Sequence, residues 1–122
     1  MPLPGLNMLL ASAVDLVSGF TVSVYPTSLS GTHSYSDGLD HTIGTGLTTA
    51  TPAGGSGSYT YAWTTGGVVT ASAPSSASCG FSATLSPDDR VSDTATITVT
   101  DTATGAKASA SVPVTLHYVS LL

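Results

Sequence analysis

Four side chains able to ligate a metal, His33, Asp37, Asp40 and His41, lie close together in the chain. The carboxylates suit a hard cation and the imidazoles a transition metal. Their spacing matches no metal-ligand pattern, so a solvated polar loop without a metal is expected. Asp88, Asp89 and Asp93 offer oxygens to calcium, yet the glycine-containing loop pattern of a calcium-binding hand is absent and aspartate is frequent in turns. Serine, histidine and aspartate are all present for a hydrolytic triad, but no Gly-x-Ser-x-Gly elbow presents a nucleophile. Cys79 is the sole cysteine, which excludes an internal disulfide, and it falls on the inward set of its segment, where a thiol behaves as a small hydrophobe. A reactive thiolate needs cationic neighbours, and Arg90 and Lys107 are the only cations in the chain. The expectation is therefore a protein without catalytic residues or cofactor, which works by binding.

The composition points to the elements that must position such side chains. A chain of 122 residues holds one modest core. Serine and threonine supply 39 positions and glutamate and glutamine are absent, so strands and turns are favoured over helices. The net charge of −5 repels a phosphate backbone, which argues against a nucleic-acid partner. No segment is long and apolar enough to span a bilayer, and the amino terminus lacks the cationic region of a secretory leader.

Leu6, Leu9, Leu10, Ala13, Val14 and Val17 recur at the spacing of one helical stripe, bounded by Pro4-Gly5 and Ser18-Gly19. Residues 1–19 are thus expected to form an amphipathic helical arm, and 20–122 the folded domain. From Phe20 the period becomes two: Phe20, Val22 and Val24 alternate with polar residues until Pro26. Residues 28–46 show no sustained periodicity and read as a long loop with at most a short edge strand. Leu47 to Pro52 reads as a strand. A glycine turn then leads into Ser58 to Thr64, where Tyr59, Tyr61 and Trp63 share a parity that suits a core better than a sugar platform. Val68 to Ala71 reads as a weak strand and Cys79 to Leu85 as a clear one. Ala95, Ile97 and Val99, then Ala108 to Tyr118, define the last two strands, whose outward sets are rows of threonine and serine. Pro113 in the second of them suggests an edge or a bulge. Six or seven short strands without intervening helices indicate an all-β Greek-key sandwich, with a closed barrel as the alternative.

Three segments carry a family likeness: Thr48-Thr49-Ala50-Thr51-Pro52, Ser58-Tyr59-Thr60-Tyr61-Ala62-Trp63 and Asp93-Thr94-Ala95-Thr96-Ile97-Thr98-Val99-Thr100-Asp101. Together they resemble bacterial and phage immunoglobulin-like modules of the polycystic-kidney-disease type, over roughly 20–118. The resemblance implies an immunoglobulin-like Greek-key sandwich with Trp63 as its core tryptophan, and adhesion at a cell or virion surface rather than catalysis. The chain departs from antibody-type domains in lacking both the cysteine pair and the tyrosine corner.

Similar modules occur on tailed-phage particles, which makes a capsid or tail decoration protein the leading expectation. Its partners would be other virion proteins, such as the major capsid or tail protein, and copies of itself. Leu6, Leu9, Leu10, Ala13, Val14 and Val17 would carry the attachment, because an amphipathic stripe needs a cover, on its own sandwich or on a neighbour. The alternative is a carbohydrate-binding module that recognises a host-surface glycan through the loops at 30–44 and 53–57.

Overall fold

The computed structural model describes residues 19–122; the arm and its apolar stripe lie outside the described residues. Ten strands follow in chain order: β1 (Thr21–Tyr25), β2 (Leu29–Tyr35), β3 (His41–Gly44), β4 (Thr48–Ala53), β5 (Tyr59–Thr64), β6 (Thr70–Ala71), β7 (Ser78–Cys79), β8 (Phe81–Leu85), β9 (Arg90–Asp101) and β10 (Lys107–Ser120). No helix occurs among the described residues. The all-β expectation holds, and the period-two alternation explains it: Ala95, Ile97 and Val99 are buried while the threonines between them face outward.

One sheet has the order β2-β10-β9-β5. Its centre is the antiparallel ladder of β9 and β10, running from Lys107 opposite Thr100 to His117 opposite Arg90. β5 adds antiparallel to β9, and β2 adds parallel to β10 from Val114 onward. Pro113 directly precedes that pairing, where β10 has β9 on one side only. A residue without an N–H is tolerated there, so the expected edge is a local one within a strand that is otherwise central.

The remaining strands form two short ladders, β1-β4-β7 and β3-β8-β6. They are continuous through a bulge. Gly44 lies opposite Ser82 and Thr48 opposite Cys79, so the three residues 45–47 face the two residues 80–81. Thr45 bridges the break: its N–H donates to the Phe81 carbonyl at 2.9 Å and its hydroxyl accepts the Phe81 N–H at 3.1 Å. The continuous strand read over 79–85 is therefore divided at Gly80, where a side chain would press on the Gly46 carbonyl.

The long loop read over 28–46 is corrected to two strands, β2 and β3, joined by residues 36–40. Its periodicity is hidden because Gly31 occupies an inward position. A Cβ there would run into the Gly44 carbonyl, so only glycine lets β2 pass this close to β3. The weak strand at 68–71 is reduced to the two residues of β6.

The two layers enclose one core, the arrangement of a β-sandwich, in which Tyr118, Phe20, Phe81, Ile43, Ile97 and Leu116 are the largest fully buried side chains. Trp63 is buried against Phe81 in an edge-on contact, and its indole N–H donates to the Ser76 carbonyl at 2.8 Å. Tyr59 and Tyr61 are half-buried at the margin of the core, in keeping with the packing role read for this strand.

Candidate functional site

The predicted attachment residues, Leu6, Leu9, Leu10, Ala13, Val14 and Val17, lie outside the described residues. The fold does define where the described residues begin, the root that such an arm would have. Phe20 is buried and stacks on Tyr59 with ring centroids 5.6 Å apart. Beside it, Phe20, Thr21, Val22, Lys107, Ala108 and Ser109 line an open crevice of about 340 Å³ between β1 and the start of β10. The crevice exists because β2 covers the edge of β10 only from Val114 onward.

Asp101 organises this pole. Fully buried at the end of β9, its carboxylate accepts the Ser56 N–H and hydroxyl, each at 2.6 Å, and the Ala103 N–H at 3.0 Å. The Ser56 hydroxyl, then the Ser56 and other backbone N–H groups, outweigh burial and hold its pKa down to about 2. The carboxylate thus ties the 54–57 turn to the turn that follows β9. Gly55 lies against the carboxylate with φ of 71°, where a Cβ would be both strained and blocked. The Tyr59 hydroxyl closes the same turn by donating to the Gly54 carbonyl.

The opposite pole carries a second clasp. His41 stacks on Tyr35 with centroids 3.6 Å apart, and its Nε2 donates to the Asp37 carboxylate at 2.8 Å and 3.0 Å. The Tyr118 hydroxyl donates to the Leu39 carbonyl at 2.7 Å and so holds the 36–40 connection against β10. The Leu39 N–H and then His41 lower the Asp37 pKa. Burial, followed by the neighbouring Asp37 charge, raises that of Tyr118.

Of the four residues grouped in sequence as possible ligands, His41 and Asp37 are brought together, whereas His33 is exposed on β2 and Asp40 is exposed in the connection that follows it. Among the described residues no three His, Cys, Asp or Glu side chains gather to hold a metal ion. Asp93 is turned to the backbone: although burial opposes its ionisation, the Val69, Thr94, Gly66 and Val68 N–H groups lower its pKa and pin the 65–69 turn. Asp89 accepts the Ser86 N–H and Asp88 the Ser120 N–H. Cys79 is buried, as its parity suggested.

The two loops expected to share a glycan site do not meet. Residues 54–57 join strands at the Asp101 end of the long ladder, while 36–40 follow Tyr35, which pairs with Ser120 at the other end. The role of Asp101 escaped the sequence reading, although an aspartate closing a core-facing alternation of Ala95, Ile97 and Val99 is the available signal: a carboxylate in an inward position must find donors. No protein-family model, no curated protein and no solved structure matches the chain.

Proposed function

We propose that this chain is an immunoglobulin-like Greek-key module that serves as a structural protein of a tailed-phage particle. In this reading the arm seats Leu6, Leu9, Leu10, Ala13, Val14 and Val17 on the major capsid or tail protein, or on a second copy, at the virion surface, and the sandwich projects from it. Support for the immunoglobulin-like assignment comes from the strand order. β1 joins one layer beside β4 while the next strand, β2, crosses to the other and runs parallel to β10, with Trp63 of β5 in the core between them.

The observation that carries the attachment reading is the position of the root. The described chain begins beside the Asp101 clasp, at one extreme of the β9–β10 ladder, with the open crevice next to it. An arm rooted there holds the body of the sandwich away from whatever the arm grips. The test is co-sedimentation with the particles of the source virus. Leu9→Asp with Leu10→Asp abolishes co-sedimentation while the near-ultraviolet circular dichroism of the sandwich is unchanged; retained co-sedimentation with intact fold refutes the attachment.

A further inference from the structure

We infer that the outer face of the β2-β10-β9-β5 sheet is a binding surface for an acidic polysaccharide whose carboxylate-bearing sugars are separated by neutral ones. The inference stands on the sandwich alone and is independent of what the arm grips.

It starts from an uneven distribution of charge. Arg90 and Lys107, the only lysine or arginine residues in the chain, both belong to the outward set of this sheet. Among the described residues no carboxylate shares that set: Asp93 and Asp101 fall on the inward parity of β9, and Asp37, Asp40, Asp88 and Asp89 lie in the connections beyond the Arg90 end of the sheet, off its outer face. Among the described residues neither cation meets a carboxylate. Lys107 donates to the Thr100 hydroxyl at 3.0 Å, Arg90 to His117 Nδ1 at 3.1 Å, and the ion pair among the described residues is His41 with Asp37. Asp88 and Asp89 are the acids nearest to Arg90 in sequence, and each accepts a backbone N–H in its turn.

Arg90 sits in a compact corner built by cross-strand register. Arg90, His117 and Thr32 form one row across β9, β10 and β2, and Ser92, Thr115 and Ser30 form the next row of the same parity. A guanidinium can only donate, so Nδ1 of His117 accepts and the ring proton sits on Nε2, which gives the corner a second nitrogen donor. A guanidinium, an imidazole N–H and four hydroxyls within two rows suit one carboxylate and the hydroxyls of the sugar that bears it.

The remaining face explains why the ligand is a polymer of sparse charge. From His117 opposite Arg90 to Lys107 opposite Thr100 is ten ladder steps, or about 34 Å of strand. Between them the β9 threonines with Ser109 and Ser111 offer hydroxyls, each able to donate once and accept twice. A dense polyanion cannot use two cations so far apart on a protein of net charge −5. A glycan with acid groups separated by neutral sugars meets a cation at each end and hydroxyls between.

The test is affinity electrophoresis of the full chain at neutral pH in gels containing hyaluronan, carboxyl-reduced hyaluronan or polyphosphate. Retardation is expected in hyaluronan and little in the other two, and Arg90→Ser with Lys107→Ser weakens it by about tenfold. Equal retardation by the carboxyl-reduced polymer overturns the carboxylate site, equal or stronger retardation by polyphosphate overturns the sugar, and no retardation in hyaluronan overturns the whole inference. Amide shift mapping of the unaltered protein with hyaluronan oligosaccharides gives a second reading that needs no variant. Shifts are expected at Arg90, Ser92, Thr115, His117 and Thr32, and shifts confined to β1, β4 or the polar loops refute the assignment.

Discussion

The two layers of the sandwich solve the same problem differently. The β9–β10 ladder runs through strands of 12 and 14 residues without interruption, and Val91, Ala95, Ile97 and Val99 each lie opposite an apolar residue of β10. The facing layer contains no strand longer than six residues and changes register at a bulge, where the Thr45 hydroxyl accepts an N–H that a regular ladder would give to a carbonyl. In the straight layer the inward side chains of β9 and β10 pack in the core, apart from Asp93 and Asp101, which hold turns outside the ladder, and the outward ones leave an even face. In the bulged layer a side chain, that of Thr45, takes a place in the ladder itself. A threonine is therefore interchangeable on one layer and carries a ladder hydrogen bond at the break in the other.

Core truncations should erase the distinction, because both layers feed one core. Phe81→Ala from the bulged layer should cost about 3–5 kcal/mol and Leu116→Ala from the straight layer about 2–5 kcal/mol in urea unfolding. A cost at Phe81 well below that range would show that the bulged layer is packed more loosely than its full burial indicates.

The next largest effect is expected where the layers approach at glycine. Gly31→Ala drives a methyl into the Gly44 carbonyl and should cost about 1–3 kcal/mol as an overpacked position. Gly46→Ala meets nothing within 4 Å and should stay within about 0.5 kcal/mol of the parent. Equal midpoints for the two would remove close approach as the reason for Gly31. Smaller still, Thr45→Val should cost about 1 kcal/mol through the lost bulge hydrogen bond, against about 0.5 kcal/mol or less for Thr98→Val on the straight layer. Hydrogen exchange at the Phe81 amide, faster in Thr45→Val alone, would sharpen that contrast.

The last expectation concerns pH and the two poles. The Asp101 and Asp37 carboxyls are harder to protonate folded than unfolded, so their contribution to stability is complete above the ordinary value of 3.8 and is lost as pH falls. For Asp101 the loss runs from 3.8 down to about 2. Urea midpoints measured across that interval should fall in the parent protein. Asp101→Asn should remove more of the slope than Asp37→Asn, since the first carboxylate is enclosed and the second exposed.

By itself the sequence determined the all-β character, the parity of the long strands and the buried place of Trp63 and Cys79, because alternation over several residues leaves one face apolar whatever the partner. Pro26 and the glycine turn at 54–57 likewise marked real ends. What only the tertiary structure decided depends on contacts between segments distant in the chain. Residues 28–46 look irregular until Gly44 is seen to exclude a side chain at position 31, and the segment 79–85 looks continuous until Thr45 is seen to take over its ladder at Gly80. The partnership of Asp101 with Ser56 spans 45 residues, and the placing of both cations on one face follows from the register between two strands. Local periodicity reports which side of a strand is apolar. Which strand lies beside it, and which lone carboxylate meets which backbone N–H, is settled only when the chain closes on itself.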